Sequence, residues 1–245
     1  MRNIKLVLEY DGTNYSGWQI QENTDHTIQQ KFQEALEKIN KAPLKVTAAG
    51  RTDAGVHALG QVVNFSLDVN IPVERIPMAI NRLLPPDIVC IEAREVPLEF
   101  HARFDARGKK YRYRIYNQQI PSVFIRNYTF HYRYKLKLDI IREAMAYFKG
   151  KHDFRAFCSS GSQITDTVRT INSFVLKEKN GELWFEISGD GFLYNMIRII
   201  IGTLLEISAG KIKLDELITI LDGGDRSLAG FTAPAHGLTL LEVYY

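Results

Sequence analysis

The stretch best suited to chemistry is Gly50-Arg51-Thr52-Asp53-Ala54-Gly55-Val56-His57. It reads as a loop between two strands, and the glycines at 50 and 55 permit positive φ and close approach of another backbone. Such a loop can hold one carboxylate, Asp53, out into a cleft. The alternative is an Asx-turn in which Asp53 bonds its own main chain. Arg198 is the second candidate. It stands in Asn195-Met196-Ile197-Arg198-Ile199-Ile200-Ile201-Gly202, so it is either at a surface edge or buried with a partner. Burying it unpaired is costly. A carboxylate on a tight loop and a cation on an apolar helix suit one another, and pairing keeps the aspartate ionised. An ionised aspartate fits covalent or proton-transfer work at a glycosidic carbon. A retaining glycosidase would need a second carboxylate nearby, and none stands out beside Asp53.

Other chemistries find little support. No G-x-G-x-x-G opens a helix and there is no Walker A motif, so no nucleotide cofactor is expected. The six histidines form no metal-like pair and H-E-x-x-H is absent, so no metal is expected. Cys90 and Cys158 lie far apart, outside any C-x-x-C, and are expected to be buried thiols in a reducing cytosol. Ser159-Ser160-Gly161-Ser162 lacks the G-x-S-x-G setting and reads as a flexible loop able to touch phosphate.

Elements must position these groups. Strands are expected at Ile4–Tyr10, Lys45–Ala48, Gln61–Leu67, Ile88–Val96, Lys110–Tyr116 and Leu238–Tyr244. Ile171–Lys177 and Leu183–Ser188 should pair as a hairpin about Asn180-Gly181. Helices are expected over Thr27–Asn40, Pro72–Leu84, Leu138–Phe148, Phe192–Ser208 and Leu214–Leu221. Each half thus runs strand, helix, two strands, helix, strand. The fold class is α+β. Two ferredoxin-like (split βαβ) halves, 1–104 and 105–245, should form a central, mostly antiparallel sheet flanked by helices, with a cleft between them.

A chain of 245 residues with 45% hydrophobic and 24% charged residues is globular in composition. The most apolar run, Ile199–Leu205, is far too short to span a membrane, and the N-terminus lacks the features of a secretory signal. A soluble, cytoplasmic protein is expected. The net charge of +3 is unevenly spread: residues 101–137 sum to +9 and residues 178–245 to −5. The basic block is also aromatic, with Phe104, Tyr111, Tyr113, Tyr116, Phe124, Tyr128, Phe130, Tyr132 and Tyr134. Interleaved rings and cations suit RNA, while a strand with solvated cations outside and tyrosines inside is the alternative.

Seven blocks carry a resemblance. They are Tyr10-Asp11-Gly12-Thr13 with Gly17-Trp18-Gln19, Gly50 to Ala58, Phe100-His101-Ala102-Arg103-Phe104 and Lys110-Tyr111-Arg112-Tyr113. Val168-Arg169-Thr170-Ile171, Phe192 to Arg198, and Thr232-Ala233-Pro234-Ala235 with Gly237-Leu238 complete the set. In this order and spacing the sequence resembles the tRNA pseudouridine synthase A family over essentially its whole length. Ile197 stands where the family often has valine, and Thr239 where an aromatic is common. The resemblance implies a metal- and cofactor-independent isomerase. It would convert uridine to pseudouridine at positions 38, 39 and 40 of the tRNA anticodon stem-loop, acting as a homodimer. It aligns Asp53 with the catalytic aspartate, Tyr111 with the tyrosine that stacks on the target base, and Arg198 with the arginine that pairs with that aspartate. Arg51 aligns with a residue implicated in base flipping. Phe100, His101, Ala102, Arg103 and Phe104, with Lys109 and Lys110, are implied to contact RNA.

Overall fold

The computed structural model describes residues 1–159 and 165–245. Ser160 to Ile164, and with them most of the expected serine loop, lie outside the described residues. In chain order the elements are β1 (Arg2–Tyr10), α1 (Ile28–Asn40), β2 (Thr47–Ala48), β3 (His57–Leu67), α2 (Ile76–Asn81) and β4 (Ile88–Val96). Then come β5 (Gly108–Tyr116), β6 (Phe130–His131), α3 (Leu138–Tyr147), β7 (Gly150–Asp153), β8 (Val168–Lys179) and β9 (Glu182–Gly189). The last are α4 (Met196–Ser208), α5 (Glu216–Gly223) and β10 (Leu238–Tyr244). The chain is α+β, and no helix among the described residues is long and apolar enough to cross a membrane.

It divides into two units, Met1–Arg107 with Thr239–Tyr245, and Gly108–Leu238. The closing strand, which position alone assigns to the second half, thus returns almost wholly to the first unit.

In the first unit the sheet runs β4-β1-β3, with β2 also on β3, which is the strand order of a split βαβ fold. β1 is antiparallel to both neighbours. β10 lies parallel to β3, with Thr239 opposite His57. Alternation puts Ile4, Leu6, Leu8 and Tyr10 of β1 on one buried face. The apolar stripe of α1 (Ile28, Phe32, Ala35, Leu36) is buried too, and Phe32 meets Phe65 of β3 edge-on at 6.3 Å. Thr27 caps α1 by accepting from the Gln30 N–H at 3.3 Å.

The second unit has the order β5-β9-β8-β7 with each of these pairs antiparallel, and the short β6 lies parallel on β5. β8 and β9 form the expected hairpin, with Asn180 at φ 50° and Gly181 at φ 80°, as a type I′ turn requires. Its core is aromatic: Phe148 packs on Phe157 at 5.1 Å and on Phe174 at 6.4 Å. Helix α4 is buried along most of its surface. Of the two cysteines, Cys90 is buried as expected, while Cys158 is only half-buried.

Candidate active site

The loop of residues 50–56 hands the chain from β2 to β3, and the first unit grips it from below. The Trp18 N–H donates to the Thr52 carbonyl at 3.0 Å, and the Gly55 N–H donates to the Tyr15 carbonyl at 3.3 Å. Gly17 makes this approach possible. It sits at φ 94°, and a Cβ there would lie 2.8 Å from the Thr52 carbonyl oxygen. Within the loop the Val56 N–H donates to the Asp53 carbonyl at 3.1 Å, closing a turn whose third residue, Gly55, has φ 75°. Positive φ there marks a type II turn. Gly50, also read as free to take positive φ, does not use that freedom. Thr52 and Val56 point into the protein, Asp53 is half-buried and Arg51 is exposed. Trp18 is buried beneath the loop.

His57 follows directly and is buried. Its Nδ1 accepts the Gly12 N–H at 3.0 Å. The Asp11 carboxylate lies 3.1 Å from the same Nδ1. His57 thus holds the Gly12 turn against the loop.

The segment after β4 holds five of the residues expected to contact RNA. Phe100 packs on Tyr245 at 5.1 Å. Ala102 is fully buried, with its N–H on Asn64 at 2.9 Å and its carbonyl on the Tyr245 hydroxyl at 2.7 Å. His101 accepts the N–H groups of Arg103 and Phe104, both at 3.2 Å, and its ring stacks on Phe104 at 4.2 Å. The exposed face of this segment is thus Arg103 and Phe104, and Phe104 is 76% accessible.

Tyr111, Arg198, Lys109 and Lys110 belong to the second unit. Tyr111 is only 7% exposed and meets Phe192 edge-on at 5.3 Å. Arg198 is half-buried on α4 and donates from Nε to the Ala233 carbonyl at 2.7 Å and from a terminal nitrogen to Asn195 Oδ1 at 2.6 Å. Both partners are fixed by position: Asn195, at φ 60°, ends the preceding turn, and the Tyr113 hydroxyl donates to the adjacent Pro234 carbonyl at 2.7 Å. Two bonds of the Arg198 guanidinium thus go to neutral oxygens. Lys109 is half-buried.

Lys110 lies on the sheet face opposite Tyr111, with Arg112 and Arg114. Its ammonium is 3.2 Å from Glu186, which also accepts from Arg112 at 2.6 Å and from Lys177 at 3.0 Å. Burial alone would raise the Glu186 carboxyl, but the bonds from Arg112, Lys177 and Lys110 outweigh it and hold the group down at about 2. Nothing in the sequence marked Glu186 as the hub of this cluster. The cross-strand pairing of Arg112 with Glu186 could have shown it only once the register was known.

The family model for tRNA pseudouridine synthase matches residues 6–105 and 144–245. The chain belongs to this family.

The tRNA pseudouridine synthase A of Acetivibrio thermocellus is 51% identical, and the match covers all of both chains. That of Ruminiclostridium cellulolyticum is 50% identical over the same full extent. That of Halalkalibacterium halodurans is 48% identical over 97% of this chain and 90% of its own. As a pseudouridine synthase the protein is an isomerase that converts uridine to pseudouridine in tRNA. Asp53, Arg51, Arg198 and Phe100 to Phe104 fall inside the segments matched by the synthase model. Tyr111, Lys109 and Lys110 fall in the intervening stretch, which the full-length relatives cover.

Proposed function

We propose that this synthase acts on uridines 38, 39 and 40 of the anticodon stem-loop, with Asp53 as the group that opens the glycosidic bond. The observation that carries this reading is the loop around Asp53. Main-chain bonds from Trp18 and to Tyr15 fix it, and Asp53 is half-buried within it. A fixed carboxylate is what the reaction asks for, because reaction rates depend steeply on placement.

The isomerisation breaks N1–C1′, turns the uracil and joins C5 to C1′. The C5 proton is lost and N1 gains one, so the product is an isomer of the substrate. Asp53 acts either as nucleophile at C1′ or as base at a sugar C–H, and both routes need it ionised. In this reading Arg198 is the cation that favours that state. On the same reading Tyr111 offers a ring on which detached uracil can turn, and its hydroxyl takes the C5 proton. The target nucleotide must leave its stack at a cost of a few kcal/mol. Arg51, exposed on the same loop, fills the gap. Phe100, His101, Ala102, Arg103 and Phe104, with Lys109 and Lys110, form the RNA-contact set. Within it Arg103 and Phe104 offer the exposed cation and ring, and Ala102 contributes by holding the segment's shape. The working form is a cytoplasmic homodimer without metal or nucleotide cofactor.

Carbodiimide mapping of pseudouridine across a pool of unmodified tRNAs tests the site assignment. New signals confined to positions 38 to 40 are expected. Signals elsewhere, or free uracil with an abasic site, would overturn it.

A further inference from the structure

Three polar side chains that the proposed chemistry does not use lie beneath the Asp53 loop. Tyr10 at the end of β1, Thr52 in the loop and Gln61 on β3 are all buried, Gln61 completely. They bond to one another. The Tyr10 hydroxyl is 2.8 Å from the Thr52 hydroxyl. Gln61 donates one carboxamide hydrogen to the Gly50 carbonyl at 2.9 Å and directs the other at the Tyr10 oxygen, 3.5 Å away. Its own oxygen accepts the Val62 N–H at 3.2 Å, which fixes which end of the carboxamide faces the loop. The short Tyr10–Thr52 bond, which either hydroxyl can donate, and the contact from Gln61 link the three side chains into one network.

This network holds the loop at two points, the Gly50 carbonyl and the Thr52 side chain, one residue apart on either side of Arg51. Trp18 adds a third hold at the Thr52 carbonyl. Asp53 is the next residue. A phenylalanine at position 10 would fill the same apolar space without any polar atom to satisfy, so core packing does not call for the hydroxyl. Burial pushes the Tyr10 hydroxyl up to about 12 against the opposing bonds to Thr52 and Gln61, so it keeps its proton through the neutral range.

We infer that Tyr10, Thr52 and Gln61 are positioning residues for Asp53: they set the loop conformation that aims the carboxylate and touch no substrate themselves. The inference rests on the reading of Asp53 above.

The test separates turnover from binding. Steady-state tritium release from tRNA carrying [5-³H]uridine is measured beside tRNA affinity and thermal midpoint, with Asp53→Asn in parallel. Tyr10→Phe should lower kcat about tenfold and Thr52→Val about thirtyfold, with KM and Kd within about twofold, because a small misplacement of a reacting group is costly. Thr52→Ser, which keeps the hydroxyl, should recover to within about threefold of the parent. The double variant Tyr10→Phe/Thr52→Val should be within about twofold of Thr52→Val, since both single variants break the Tyr10–Thr52 bond and Tyr10→Phe adds only the loss of the longer contact from Gln61. Tyr10→Phe retains every carbon of the core and carries the test if Thr52→Val melts early. Unchanged kcat in Tyr10→Phe and Thr52→Val beside an inactive Asp53→Asn would overturn the inference and leave the role of Asp53 standing. Losses that multiply in the double variant, or that fall on KM alone, would overturn it too. Turnover that survives in Asp53→Asn would instead remove the reading on which it rests.

Discussion

Asp53 and Arg198 are conspicuous in the sequence for one physical reason: each is an ionisable group in a setting that does not favour it. One stands in a glycine-bounded loop and the other in an isoleucine-rich helix. Tyr111 carries no such mark. A tyrosine between cations on a strand is ordinary, and only the family resemblance singled it out. Its setting in the structure, buried and edge-on to Phe192, leaves a ring held in place rather than a mobile surface aromatic. Tyr111→Leu should therefore cost turnover far more than binding, by about a hundredfold in kcat and less than about threefold in Kd. Equal losses in stopped-flow turnover and filter binding would make it an RNA-positioning residue only. Tyr10, Thr52 and Gln61 entered the sequence reading only as members of a strand, a loop or a matching block, and none was given a role. Their types are common in strands and turns, and their meaning lies in contacts between positions up to 51 residues apart.

At the scale of elements, the periodic segments were legible and their ends were not. The Asn-Gly turn between β8 and β9 needed no tertiary information. Helix α2 is shorter than the expected Pro72–Leu84, and Pro77 explains its start. Lacking an N–H, Pro77 cannot bond the Val73 carbonyl, which the Ile76 N–H takes in a tighter turn over Val73–Arg75. It stops at Asn81, whose side chain bonds both the N–H and the carbonyl of Cys90 at 2.8 and 2.9 Å. Helix α4 begins at Met196 rather than Phe192, because Asn195 is left-handed and the run is too uniformly apolar for its period to mark the start.

Two predictions belong to this scale. A Cβ on Gly202 of α4 would collide with the Phe231 carbonyl, which is backbone and cannot swing aside. Gly202→Ala should destabilise the protein by about 3 kcal/mol or more in urea unfolding. The Glu186 cluster ties β5, β8 and β9 together. Its carboxyl is held at about 2 against an ordinary 4.5, so its contribution is fully present above about pH 4.5 and is lost as pH falls through about 2. Glu186→Gln should cost roughly 2 kcal/mol at neutral pH. Its unfolding midpoint should then fall less steeply than the parent's below pH 4.5. Parallel acid limbs would contradict this account of the cluster.

For the molecule as a whole, the charge map read from sequence is partly cancelled in space. The +9 segment includes Lys110, Arg112 and Arg114, yet Glu186 and Glu182 from the acidic C-terminal part sit against them. One strand register brings together what the linear tally kept apart. The exposed cations that remain in the segment include Arg103, Arg126, Arg133, Lys135 and Lys137. If about five phosphates are neutralised, log Kd for tRNA should rise with log salt with a slope near 4. A flat response would argue against an electrostatic RNA face. Sedimentation at micromolar concentration should show a dimer, and a monomer there would remove that part of the proposal.

The central claim is that a clamped loop presents Asp53 to the target nucleotide, and Asp53→Asn tests it most directly. The exchange keeps the size of the side chain, removes its charge and turns one acceptor oxygen into an NH2 donor. Single-turnover tritium release should fall to background while tRNA affinity stays within about threefold of the parent, as for a group acting mainly in the transition state. Release at near-parental rate from Asp53→Asn would contradict the account.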